Sequence, residues 1–158
     1  SDAELEVLER KAAPLAPKDF KFADFKGQFQ LQRVFQEYYR AVTSKGDEAK
    51  VEELAKKLAS TQSDDAETLN EIAWTLLTDE KIKARDLKLA MKMARAAFDA
   101  SEGKDPNVID TYARALFDTG KIAEAVTQQK RAIQLNEDAD TKREYEATLK
   151  RYEKAAAK

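Results

Sequence analysis

The sequence predicts an all-α fold of antiparallel helical pairs, and three observations carry that prediction. Only four glycines and three prolines punctuate 158 residues. The chain is otherwise rich in Ala, Leu, Lys and Glu, side chains that lose little rotamer freedom in a helix. Apolar residues recur at three- and four-residue spacing along most of the length, the signature of one buried helical face. Finally, the segment LNEIAWTLL at 69–77 aligns with IDTYARALF at 109–117, an offset of 40 residues. Scarce β-branched runs and few aromatics argue against a sandwich or barrel.

Element by element, residues 2–13 predict a short helix with Leu5, Leu8 and Ala12 on one face, ended by Pro14 and Pro17. The following stretch is dense in phenylalanine. Phe20 and Phe22 alternate as in a strand, and with Phe25 and Phe29 they predict an extended segment whose rings dock on later helices. Leu31, Phe35, Tyr38 and Val42 predict the next helix, with Gly46 as its stop. Val51, Leu54, Ala55 and Leu58 predict another. Asp64 with Glu67 reads as a capping box for a helix whose stripe is Leu69, Ile72, Ala73, Leu76 and Leu77.

A polar loop from Asp79 to Lys83 precedes a helix carrying Leu87, Ala90, Met91, Ala94, Ala97 and Phe98, closed by Gly103. Asp105-Pro106 is a strong helix start, an N-cap followed by proline at the first helical position. That helix uses Ile109, Tyr112, Ala113, Leu116 and Phe117, and Gly120 stops it. Ile122, Ala125, Val126, Ala132, Ile133 and Leu135 mark the next, and Tyr145, Leu149, Tyr152 and Ala156 the last. The repeat extends into the second helix of each pair: Leu87, Ala90, Met91, Ala97 and Phe98 fall on Ile122, Ala125, Val126, Ala132 and Ile133 at an offset of 35 residues. The difference of five residues therefore lies in the loop between the two helices of the earlier unit. Small residues recur where paired helices must approach closely: Ala73 with Ala90, and Ala113 with Ala125 and Ala132.

These residues resemble tetratricopeptide repeats. The unit from Asp105 to Glu137 matches best, through Tyr112-Ala113, Leu116, Gly120, Ala125, Ala132 and Leu135-Asn136. The unit from Asp64 to Gly103 has the longer loop, and the unit from Leu31 to Ser60 places bulky Tyr39, Val51 and Leu58 where small residues are expected. The resemblance implies a right-handed superhelix of about three pairs plus a C-terminal capping helix. In this reading residues 1–28 form an N-terminal helix and Phe-rich segment, and residues 29–158 the repeat domain. The strings TDEKIKARDLKLAM and GKDPNVIDTYARALFDTGKIAEAV are also similar to a helical-repeat region that follows a thioredoxin-like domain in some bacterial exported proteins. That similarity implies an accessory domain of a thiol-disulfide oxidoreductase, and an exported or periplasmic location.

Composition narrows the function. With no cysteine and no histidine there is no thiol nucleophile, imidazole base or conventional zinc site. There is no phosphate loop or nucleophile elbow, and the acid pairs at Asp64–Asp65 and Asp138–Asp140 stand at helix starts, where capping accounts for them. No catalytic residue, metal or cofactor is therefore assigned. A net charge of −2 with both signs interspersed argues against nucleic acid, and no apolar run is long enough to insert in a membrane. The chain begins at Ser1 rather than Met, without a signal peptide, and reads as a processed or excised polypeptide.

The expected function is a non-catalytic interaction or scaffold module that binds a protein or peptide in a concave groove. The resemblance places Arg40, Asn70, Trp74, Asp110 and Arg114 on that groove. Taken singly, Trp74 and Phe117 are expected to cover the core edge beneath a neighbouring element. The chaperone-tail carboxylate clamp of such repeats is disfavoured, because Gln36, Arg40, Glu71, Asn107 and Thr111 occupy its positions and Glu71 would repel a carboxylate. Two alternatives stand beside the adaptor: a domain that positions a thioredoxin-like domain of the same parent chain, and a self-association module using residues 20–29. A basic run, Lys81, Lys83, Arg85, Lys88, Lys92 and Arg95 against nearby Asp86, reads either as a docking strip for an acidic protein or another polyanion or, the favoured reading, as a solvated outer helix face.

Overall fold

A computed structural model describes residues 2–17, 21–44 and 47–157. Among them every regular element is helical. In chain order they are α1 (Asp2–Ala12) with a 3-10 turn (Ala13–Leu15), α2 (Phe22–Thr43), α3 (Glu48–Ser60), α4 (Ala66–Thr78), α5 (Leu87–Ala100), α6 (Pro106–Asp118), α7 (Ile122–Leu135) and α8 (Ala139–Ala156). The all-α expectation holds. Helix α2 packs on α3, α4 on α5 and α6 on α7, while α8 lies against α7. Short connections between such neighbours make each pair an antiparallel hairpin. The hairpins join because α5 packs on α6, and α4 touches both α2 and α6.

Local chemistry sets the helix starts. Asp47, Asp65, Asp86, Asp105 and Asp138 each cap a helix by accepting a backbone N–H of the first turn, satisfying donors that have no intrahelical partner. The cap of α4 is Asp65, not the expected Asp64: its carboxylate takes both the Thr68 N–H and the Thr68 hydroxyl. Ser63 Oγ accepts from the Asp65 N–H and fixes the approach of the chain.

The extended reading of the Phe-rich segment is corrected. Phe22, Phe25 and Phe29 lie within α2, where Phe25 and Phe29, one turn apart, stack with centroids 6.5 Å apart. Helical spacing of Phe22, Phe25 and Phe29 competes with the Phe20–Phe22 alternation, and the helical register prevails. Phe20 and Gly46 lie outside the described residues.

The core follows the stripes. Leu31, Tyr38, Leu54, Leu58, Leu69, Ile72, Leu76, Leu77 and Leu116 are buried in one cluster, and Ala73, Ala90, Ala113 and Ala125 are fully covered. Those alanines let the backbones of α4–α5 and α6–α7 close up. Ile109, Ala132 and Tyr145 form a second cluster under Phe98 and Ile133. Leu8 and Leu135, expected on buried stripes, are exposed. Leu8 belongs to α1, whose described contacts are chiefly with the adjoining 3-10 turn, and Leu135 is the last residue of α7.

Candidate functional site

The five groove residues fall on three helices. Arg40 is exposed near the end of α2 and lines a cleft of about 240 Å³ with Phe35, Gln36, Tyr39, Thr75 and Asp79. Tyr39 donates its hydroxyl to Asp79 Oδ2 at 2.7 Å, tying α2 to the end of α4. Asp79 also accepts the Lys81 N–H, and these bonds hold its carboxyl below the usual range. Asn70 and Trp74 stand one turn apart on α4. Trp74 is 44% exposed, contrary to the expectation that it is covered, whereas Asn70 Oδ1 is inaccessible and has no hydrogen-bond partner among the described residues.

Asp110 and Arg114 stand one turn apart on α6. Gln129, fully buried on α7, donates Nε2 to Asp110 Oδ1 at 2.6 Å. Burial pushes the Asp110 carboxyl up, partly offset by Gln129 and by the charges of Arg114 and Arg151. Arg114 Nε donates to Asp118 Oδ2 at 2.7 Å, an ion pair that is less than a third exposed on either side.

Helix α8 closes this end. Phe117 stacks on Tyr152 with centroids 4.3 Å apart, and the Arg151 guanidinium lies 5.2 Å from the Phe117 ring. Phe117 is thus covered by a later helix, as expected. Tyr145 donates its hydroxyl to Asn107 Oδ1 at 2.7 Å. Tyr152 is fully buried and no well-formed hydrogen bond reaches its hydroxyl among the described residues; burial pushes its pKa up to about 12, partly offset by the Arg151 guanidinium beside it.

The residues do not share one cleft. Arg114 belongs to a separate opening of about 510 Å³, with Leu77, Thr78, Lys83, Arg85, Leu87 and Asp118. Lys83 and Arg85 come from the α4–α5 loop, whose length is what departs from the internal repeat. Ile82, 1% exposed, pins that loop into the core. As the lone large apolar residue between Asp79 and Asp86, it carried a readable signal. Arg85 Nη2 donates to the Asp79 carbonyl at 2.8 Å. Gln129 carried no such signal, because a buried glutamine has no periodic signature.

Among the described residues no group of three or more Asp or Glu is placed to hold a metal ion. No helix among the described residues is long and apolar enough to cross a membrane. The arrangement offers an exposed indole, amide and guanidinium groups and half-buried carboxylates, the chemistry of recognition. Comparison with protein-family models, curated proteins and solved structures finds no match.

Proposed function

We propose that the chain is a non-catalytic interaction module, built as a tetratricopeptide-like superhelix, that binds an extended segment of a partner protein across α2, α4 and α6. The observation that carries this reading is Trp74. It is the single tryptophan, and it stands 44% exposed on the middle helix of the three. Large aromatics anchor partners because they bury much apolar area for little loss of rotamer freedom. Leaving one in water on a helix whose other large apolar residues, Leu69, Ile72, Leu76 and Leu77, are buried costs stability that a partner would recover. Arg40 on one side and Arg114 on the other give polar ends to the apolar centre. The packing of α4 on both α2 and α6 supports a shared surface.

The test uses a peptide selected from a displayed random library against the intact chain. The Trp74→Ala, Arg114→Ala double variant is expected to weaken its binding at least about thirtyfold, that is about 2 kcal/mol for an aromatic anchor with a charged neighbour. Far-ultraviolet circular dichroism is expected to stay unchanged. Undiminished binding by the double variant refutes the assignment.

A further inference from the structure

The charge of this chain is segregated along its length. Residues 81–95 hold six Lys or Arg against Asp86 alone, a net of +5 in a chain whose total is −2. The fold gathers part of that excess into the cleft of about 510 Å³ beside α6, where Lys83 and Arg85 meet Arg114, and Asp118 is the only lining carboxylate.

Three of the four neighbouring carboxylates are engaged. Asp118 is held by Arg114. Asp79 accepts from Tyr39 and from the Lys81 N–H. Asp86 caps α5 through the Leu89 N–H. Glu80 is exposed and does not line the cleft. Arg85 has a structural role, since its guanidinium bonds the Asp79 carbonyl at the end of α4, where cations offset the helix dipole. That bond also fixes the guanidinium and leaves further N–H groups to donate. Lys83 has no such role: no acid pairs with it among the described residues, although Ile82 beside it is anchored in the core. A loop anchored at Ile82 thus presents a cation, unpaired among the described residues, over an opening that two guanidinium-bearing side chains also line.

We propose that this cleft receives carboxylate side chains of the bound segment, so that the α4–α5 loop makes the surface selective for acidic peptides. The inference rests on the reading that α2, α4 and α6 bind a peptide, and it specifies the chemical class. Lys83, Arg85 and Arg114 are not the positions that disfavour a chain-terminal carboxylate clamp, and Glu71 does not line this cleft. The occupant is an internal acidic residue, with half-buried Leu87 beside it for its methylene carbons.

The experiment measures anisotropy of an acetylated, amidated peptide of six glutamates carrying a rhodamine label, with the six-glutamine peptide as its neutral counterpart. The glutamate peptide is expected to bind at least tenfold more tightly, with affinity falling as salt is raised. Lys83→Glu is expected to raise Kd about tenfold. Lys88→Glu makes the same charge change on the exposed face of α5, outside the cleft, and is expected to raise it less than about threefold. Equal losses from both reversals, or equal binding of the two peptides, overturn the proposal. The two readings fail separately. Sensitivity to Trp74→Ala without sensitivity to Lys83→Glu removes the acidic cleft and keeps the groove. The reverse pattern keeps the cleft and removes the groove.

Discussion

Gly103 and Gly120 both take left-handed backbone, at φ +60° and +83°, and both follow a helix. They differ in what a side chain would meet. A Cβ on Gly103 would stand 2.7 Å from Phe98 Cζ, whereas nothing lies within 4 Å of one on Gly120. Phe98 has little freedom to yield, since it packs at 4.8 Å on Tyr112 and lies under the guanidinium groups of Arg95 and Arg131. Gly120→Ala is therefore expected to cost about 1–2 kcal/mol, the penalty of left-handed backbone. Gly103→Ala adds overpacking of about 1–3 kcal/mol. Urea unfolding midpoints check this ordering, and equal shifts contradict it. Both glycines were legible as helix stops in sequence, but the ring beneath Gly103 was not, because Phe98 reaches it across the helix end.

Helix α8 is the element whose role depends most on one residue. Tyr145 and Tyr152 are its two buried side chains, and Tyr152 seals the end of α6 by stacking on Phe117. Tyr152→Ala is expected to cost about 3–5 kcal/mol, as for other large aromatics removed from a core. Tyr152→Phe keeps the ring and deletes a buried hydroxyl that has no well-formed hydrogen bond among the described residues, so it is expected to be neutral or to stabilise by about 1 kcal/mol. Thermal unfolding of the two variants separates ring from hydroxyl, and a Phe variant as unstable as the Ala variant would show that the hydroxyl is engaged. The stripe of Tyr145, Leu149 and Tyr152 was readable because period and polarity agree along α8.

The start of α2 is ambiguous in sequence for the opposite reason. Phe20, Phe22, Phe25 and Phe29 satisfy two periods at once, and the structure places Phe22, Phe25 and Phe29 on the helical one. The α4 cap was misplaced by one residue, because adjacent aspartates are equivalent in sequence and only the Ser63–Asp65–Thr68 bonds distinguish them. Helix type and pairing thus follow from local pattern, while side-chain partners such as Gln129 with Asp110 depend on packing between elements.

At the scale of the molecule, the buried alanines at matched positions of α4–α5 and α6–α7 build two close hairpins, with α2–α3 packed beside them. The loop that breaks the repeat is anchored by Ile82 and carries Lys83 and Arg85 to the Arg114 cleft. The near-neutral total therefore conceals a strongly basic stretch set against a more acidic remainder. The exposed indole lies on the helix between the Arg40 and Arg114 elements. No part of this required a cysteine or histidine, which the chain lacks.

Because Trp74 is the only tryptophan, the proposed surface contains its own reporter. The most direct test is a titration of Trp74 emission, with acrylamide quenching, as a library-selected peptide saturates the chain. Engagement of α4 predicts a blue shift and reduced quenching that saturate with the binding isotherm. Saturable binding with unchanged emission and undiminished quenching would contradict it and place the partner surface elsewhere.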